Sequence, residues 1–269
     1  MDKKVIGFIG AGNMGGAMIG GICQSGLVAP DQIIVSDYSA AAIEKIHAAY
    51  GVKTTLSNEE AAANSDVLFL AVKPYQFENV LPALAKVLKK DCIVVSIAAG
   101  KTIASVEALL GSHIKLVRAM PNTPALVGES MSALCGNKNI SDEELSYVHQ
   151  IFLCFGQAEI VSESMIDTVI GVSGSSPAYV YMFIEAMADA AVADGMPRNM
   201  AYKFAAQSVL GSAKMVLETG KHPGELKDAV CSPGGTTIEA VAALEAGGFR
   251  STVINAQRAC VQKAKDMSK

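Results

Sequence analysis

"KVIGFIGAGNMGGAMIGG", Lys4 to Gly21, decides how the first half of the chain folds. After Lys4 the residues through Gly10 are apolar with β-branched members, the pattern of a buried strand. Gly10, Gly12 and Gly15 then stand in G-x-G-x-x-G spacing, and a helical pattern continues from Gly15 to Gly26. Strand, glycine turn and helix in that order are the context in which this spacing holds a dinucleotide. Gly10 permits the tight turn, Gly12 lets a pyrophosphate approach the backbone, and Gly15 lets helix and strand pack closely. The helix start adds unpaired N–H groups and a partial positive charge. Two lysines ahead of an apolar run also resemble a secretory leader. However, Gly7, Gly10, Gly12, Gly15, Gly16, Gly20 and Gly21 fall inside that run, and so many glycines weaken a spanning helix. The segment therefore reads as a strand and a helix of the fold, and no membrane partner is expected.

Outward from it, "QIIVSD" (Gln32 to Asp37), "DVLFLAV" (Asp66 to Val72), "DCIVVSIA" (Asp91 to Ala98) and "KLVRAMP" (Lys115 to Pro121) repeat the strand pattern, with helices between several of them. Near-continuous apolar strands separated by helices imply a parallel sheet covered on both faces. Right-handed crossovers make it doubly wound. The prediction is an α/β chain with an N-terminal doubly wound (Rossmann) domain over residues 1–163.

From about Met165 the strand patterns stop. Helices are predicted over Pro177 to Gly195, Pro197 to Glu218, from Thr236 to the Gly247-Gly248 pair, and Phe249 to Met267. They make an all-α C-terminal domain, residues 164–269. Ala178 through Ile184 are apolar in succession, and a helix apolar all round must be covered on every side. The expected cover is a second copy of the chain, with a compact monomeric bundle as the alternative.

Composition narrows the function. A net charge of −4 with lysines and arginines scattered singly argues against nucleic acid, which demands a basic face. The six cysteines and four histidines show neither C-x-x-C pairs nor metal-ligand spacing. A reduced, cytoplasmic protein without structural metal is expected.

Asp37 ends the second strand about 20 residues past the glycine turn, where an acid accepts hydrogen bonds from the adenosine ribose. The alternative is a solvated Asp ahead of a helix capped by Ser39. "AVKP" (Ala71 to Pro74) and "SIAAG" (Ser96 to Gly100) close two further strands, at the edge where ligands of open sheets gather. Lys73 fits equally well as an ordinary surface lysine.

A second glycine turn stands far downstream in "CSPGGTTIEAVAALE", Cys231 to Glu245. T-x-x-E from Thr236 to Glu239 predicts a capping box. That box leaves Thr237 and the Gly234-Gly235 pair unexplained. A carboxylate held by the remaining first-turn N–H groups would account for them.

With these blocks in view, the chain resembles the pyrroline-5-carboxylate reductases. "LKDAVCSPGGTTIEAVAALE", "RAMPNTPALVGES", "GVSGSSPAY", "AVKP" and "GFIGAGNMG" resemble the family's blocks and come in the family's order across the whole chain. The resemblance implies reduction of L-Δ1-pyrroline-5-carboxylate to L-proline by NADPH or NADH, with a helical domain that interlocks in a homodimer and often a ring of dimers. It puts Ile9, Gly10, Ala11, Gly12, Asn13 and Met14, next to Gly15, at the cofactor, together with Asp37, Asn58, Ala71, Val72, Lys73, Pro74, Ile97, Ala98 and Ala99. It puts Glu163, Thr236 and Thr237 at the amino-acid ligand. Ser232, Gly234 and Gly235 complete the substrate turn, and Thr237 is the expected catalytic residue. The chain departs from the family in two places. Gly174-Ser175-Ser176-Pro177 stands where the family commonly reads Gly-Ser-Gly-Pro. Asp37 stands where many members have a neutral residue, which tips the expectation towards NADH.

No Lys or His occupies a motif position suited to take an alcohol's proton, as a hydroxyacid dehydrogenase requires, with Lys73, Lys203 and Lys214 as the exceptions left open. The alternatives remain a 3-hydroxyacid dehydrogenase-like oxidoreductase and a non-catalytic NAD-binding protein.

Overall fold

The computed structural model describes residues 4–268. Eight strands form one sheet: β1 (Ile6–Ile9), β2 (Ile33–Ser36), β3 (Lys53–Thr55), β4 (Val67–Leu70), β5 (Ile93–Ser96), β6 (Lys115–Met120), β7 (Ser130–Gly136) and β8 (Gly156–Ile160). Their order is β3-β2-β1-β4-β5-β6-β7-β8, with only the β6–β7 pairing antiparallel. Helices α1 (Asn13–Ser25), α2 (Ala40–Tyr50), α3 (Asn58–Asn64), α4 (Phe77–Leu84), α5 (Ile103–Leu110) and α6 (Asp142–Phe152) accompany it.

Every residue of β1, β2, β4 and β5 is buried, as continuous apolar strands require when both faces are covered. One face is an aromatic core in which Phe8 stacks on Phe69 with centroids 4.7 Å apart, followed by Phe152 and Phe155. The other packs Ile9, Leu70 and Val94 against Phe77, Leu81 and Leu84. Strand order reverses between β1 and β4, and that switch point opens a crevice at the carboxyl ends of the strands.

The five predicted strands are present. Three others were not anticipated: β3 is three residues and partly exposed, β7 is built largely of small residues, and β8 carries exposed Gln157 and Glu159. The short edge strands β3 and β8 lack the apolar run that marks a central one, and the small residues of β7 interrupt its own.

The chain divides into two compact units, one of residues 1–175 and 260–269 and the other of Ser176–Ala259. The expected boundary at 163/164 falls inside the first unit. There a short helix, α7 (Ile166–Val169), runs into a π-turn over Ile170–Gly174. Ile166 and Ile170 pack with Ala133, Cys135 and Ala264, which ties the segment to the sheet.

The second unit holds α8 (Ser176–Ala193), α9 (Arg198–Thr219), α10 (Pro223–Val230), α11 (Thr236–Ala246) and most of α12 (Phe249–Met267). The unanticipated α10 has Pro at its first turn, and His222 caps it by accepting the Gly224 N–H. Among described residues α8 buries only Ala188, while Tyr181 is 60% and Met182 69% exposed. The apolar run over Ala178 to Ile184 is therefore left open by the chain's own residues.

Candidate active site

The glycine turn joins β1 to α1, and its three glycines are required for different reasons. Gly10 takes φ 108, and a Cβ there would sit 2.8 Å from the Ala71 backbone. A Cβ on Gly15 would overlap the Gly10 carbonyl oxygen, whereas one on Gly12 would meet nothing within 4 Å. Gly12 is exposed and is the N-cap of α1, with no side-chain cap and no acid in the first turn. The open concavity and uncapped helix start fit a dinucleotide pyrophosphate.

Asp37, just past β2, faces this turn. Its carboxylate accepts the N–H of Ala11 at 2.8 Å and of Ser39 at 2.9 Å, so it braces the glycine turn. Ser39 caps α2 through the Ala42 N–H, as the alternative reading of the segment expected. Asn58, the first residue of α3, accepts the Ser36 hydroxyl at 2.8 Å. Ala71 follows β4 and is fixed by its N–H to Ile9 O, 2.8 Å. Lys73 is exposed and precedes a short turn over Pro74–Gln76. Ile97, Ala98 and Ala99 follow β5, leading into a turn in which Gly100 takes φ +76. Thus Ile9 to Gly15, Asp37, Asn58, Ala71 to Pro74 and Ile97 to Ala99 gather at one edge of the sheet.

The second glycine turn lies in the second unit. Contrary to expectation, no capping box links Thr236 and Glu239. Gly235 is the N-cap of α11, extended at φ −86 and ψ 172, with no side-chain cap. Its N–H bonds to Ser232 O at 3.1 Å, and the Ser232 hydroxyl fills the place a Cβ would need. The helix consequently starts at Thr236, one residue earlier than a Thr236 cap would allow, and Glu239 cannot reach back to the cap. Thr237, partly buried, lies in the first turn. The result is a helix start whose first amides have no capping side chain, and an anion there would gain from the helix dipole.

Glu163 sits in the first unit, where Oε1 accepts the Ile103 N–H at 2.7 Å and Arg118 Nη1 at 3.0 Å. Arg118, from the middle of β6, is 4% exposed and also approaches Asp167 at 3.6 Å. Asn122, 7% exposed, donates to Ser173 O at 2.9 Å and accepts the Met131 N–H. It thereby joins the "RAMPNTP" segment to "GVSGSSP". Arg118, Asn122 and Asp167 were not among the expected site residues. A charged residue inside the apolar strand "KLVRAMP" was the available sign of the first.

Burial pushes the Cys92 thiol up to about 12, with the Asp66 charge adding to it. Cys135 is pushed to about 11 by burial and the Glu163 charge. Both remain thiols and offer no nucleophile. His47 and His149 are engaged with the carbonyls of Val52 and Ala158. Among the described residues no cluster of three or more His, Cys, Asp or Glu side chains could hold a metal, and no helix is long and apolar enough to cross a membrane.

The family model described as pyrroline-5-carboxylate reductase dimerisation matches residues 163–267. One described as NADP oxidoreductase coenzyme F420-dependent matches residues 5–100. The chain is 55% identical over 269 residues to the pyrroline-5-carboxylate reductase of Escherichia coli (strain K12), covering 100% of both. It is 43% identical to that of Methanosarcina acetivorans, again covering 100% of both. Among solved structures, the Coxiella burnetii pyrroline-5-carboxylate reductase superposes with a TM-score of 0.93 at 36% identity, covering 100% of each chain. The Plasmodium falciparum pyrroline carboxylate reductase with NADP bound superposes with a TM-score of 0.90 at 34% identity, covering 100% of each chain.

Proposed function

The chain belongs to the pyrroline-5-carboxylate reductase family, and from that premise we propose how its own residues carry the family's reaction. The enzyme reduces the C=N bond of L-Δ1-pyrroline-5-carboxylate with NAD(P)H to give L-proline, the last step of proline biosynthesis. The observation that carries the residue assignment is the pair of helix starts, at Gly12 and Gly235, neither of which has a side-chain cap.

When bound, the reduced nicotinamide supplies the hydride. The first-turn amides of α1 would hold the cofactor pyrophosphate, and the segments after β4 and β5 would border its nicotinamide end. The amides from Gly234 to Thr237 grip the imine's carboxylate. The Thr237 hydroxyl holds the ring nitrogen and fixes which face of the ring is presented. An imine bound as iminium is already activated, so orientation is the protein's main contribution. In that form the nitrogen already carries its proton, so reduction leaves the neutral amine. The further proton of the prolinium product would come from solvent, because threonine is too weak an acid to supply it. Engagement of His47 and His149 elsewhere supports this reading over a hydroxyacid dehydrogenase, which needs a base.

The direct test is loss of NADPH and NADH absorbance on adding pyrroline-5-carboxylate, with a 3-hydroxy acid as the control. Rapid oxidation with the imine alone is expected. Turnover with the hydroxy acid and NAD instead would replace the assignment, and cofactor binding without any turnover would make the chain a silent partner.

Asp37 decides between the cofactors in this reading. A 2′-phosphate beside its carboxylate meets like charge, which supports a preference for NADH. Asp37→Ser is expected to raise kcat/KM for NADPH relative to NADH by about 10-fold, a factor equivalent to roughly 1.4 kcal/mol. An unchanged ratio would remove Asp37 from the ribose site.

The open apolar faces of α8 and α9, with Tyr181, Met182 and Phe204 exposed, support a homodimer, and rings of dimers extend the same reading. The six cysteines are all unpaired, which supports a reducing, cytoplasmic setting.

A further inference from the structure

Asp37-Tyr38-Ser39 follows β2, Thr55-Leu56-Ser57 joins β3 to α3, and the two turns are built alike. In the first, Asp37 Oδ1 accepts the Ser39 N–H at 2.9 Å. In the second, Thr55 Oγ1 accepts the Ser57 N–H at 3.1 Å. Each serine then caps the next helix, Ser39 through the Ala42 N–H and Ser57 through the Glu60 N–H. Both turns therefore hold a middle residue, Tyr38 or Leu56, between two pinned neighbours. β2 and β3 run parallel in a register that pairs Ser36 with Thr55, so the two middle residues leave the sheet from neighbouring strand ends.

Neither is covered. Tyr38 is 87% exposed, the most of any large apolar side chain among the described residues, and Leu56 is 63% exposed. A single exposed apolar residue needs no explanation. Two held out together beside the glycine turn call for one. Asp37 ties this edge to that turn, since its other oxygen, Oδ2, accepts the Ala11 N–H at 2.8 Å. A dinucleotide is one covalent chain. With its pyrophosphate at the glycine turn and its adenosine ribose at Asp37, the adenine is one glycosidic bond further on.

We propose that Tyr38 is the platform on which the adenine of the cofactor stacks, with Leu56 as its apolar flank, and that Tyr38 shares with Asp37 the choice between NADH and NADPH. The proposal rests on the reading that the glycine turn takes the pyrophosphate and Asp37 the ribose. A base has a π face that stacks on an aromatic ring whatever its edge groups. Tyrosine supplies that area with little conformational entropy to lose. Its ring brings no positive charge, so beside the Asp37 carboxylate it gives a 2′-phosphate nothing to pair with. Stacking thus helps both cofactors equally, and the acid disfavours NADPH alone.

The test titrates the native enzyme, Tyr38→Ala, Tyr38→Phe, Tyr38→Arg and Tyr75→Ala with NADH and NADPH, following nicotinamide fluorescence. Reduced nicotinamide mononucleotide, which lacks the adenosine half, is titrated beside them. Tyr38→Ala is expected to weaken both dinucleotides about 10-fold, the scale of one lost base–aromatic stack, with the mononucleotide within about twofold. Its unfolding midpoint should stay in place, because the side chain is exposed. Tyr38→Phe keeps the ring face and is expected to bind as the native enzyme does. Tyr38→Arg keeps a planar group that stacks and adds a phosphate partner, so its NADPH-to-NADH affinity ratio is expected to rise about 10-fold. Tyr75, 75% exposed in the turn after β4, is the rival platform. Native NADH affinity in Tyr38→Ala, or a loss in Tyr75→Ala instead, overturns the proposal. An equal loss of the mononucleotide also overturns it, making Tyr38 a support of the turn and not a contact of the base. An unchanged ratio in Tyr38→Arg removes it from the choice of cofactor. A native enzyme that binds NADH yet reduces no imine fails the functional reading, while the titrations still decide the role of Tyr38. One that binds neither dinucleotide ends both.

Discussion

Gly15→Ala is expected to weaken NAD(P)H binding about 100-fold or more while the chain still folds, because the displaced turn would lose about two charge-assisted hydrogen bonds of roughly 1.5–3 kcal/mol each. The added Cβ would overlap the Gly10 carbonyl oxygen, and neither partner is the yielding end of a flexible side chain. Gly10 has little room to retreat. It sits at φ 108 with Ala71 backbone atoms where its own Cβ would be, and its N–H is bonded to Ser36 O at 2.8 Å. Relief must come from the turn, and a moved turn drags Ala11 from the Asp37 carboxylate. Overpacking of this kind costs about 1–3 kcal/mol of stability, within the margin of a typical domain. Gly12→Ala is the matched control for packing, since its Cβ meets nothing within 4 Å. It should leave the unfolding midpoint in place yet still hinder the pyrophosphate. Calorimetric titration with NADPH beside circular dichroism checks both. A Gly15→Ala protein that binds NADPH as tightly as the native one would mean that this turn holds no cofactor.

That prediction could be drafted from sequence alone, since the glycine pattern and its flanking strand and helix are contiguous and local rules govern them. The same holds for β2, β4, β5 and β6, whose apolar runs are buried to the last residue or nearly so. What escaped was decided by tertiary partners. β3 and β8 are strands because β2 and β7 offer them edges, and their own residues carry little apolar signal. The capping box failed because Ser232 and Gly235 define where α11 begins, a choice made upstream of the motif. Arg118 and Glu163 lie 45 positions apart in sequence, and only the folded sheet brings them together. Charge inside a strand signals a partner without telling which one.

Thr237→Val is expected to lower kcat/KM for imine reduction about 10- to 100-fold, the equivalent of a hydrogen bond to a charged group at roughly 1.5–3 kcal/mol. The substitution keeps volume and β-branching, and valine and threonine differ little in helix propensity. Thr237 caps nothing, for the N-cap is Gly235. The backbone N–H of residue 237 survives the change, so the carboxylate grip survives with it, and what disappears is the hydroxyl at the ring nitrogen. The NADPH dissociation constant should therefore stay within about twofold, because the assigned cofactor residues belong to the other unit. Thr236→Val separates hydroxyl chemistry from helix effects. Thr236 is the exposed neighbour in the same first turn, and its loss should cost far less. Steady-state rates with both variants, read against NADPH titrations, distinguish a hydroxyl that orients the imine from one that merely lies near it. Equal kcat/KM in Thr237→Val and native enzyme would leave the amides of α11 as the whole of the substrate grip and orientation to some other group.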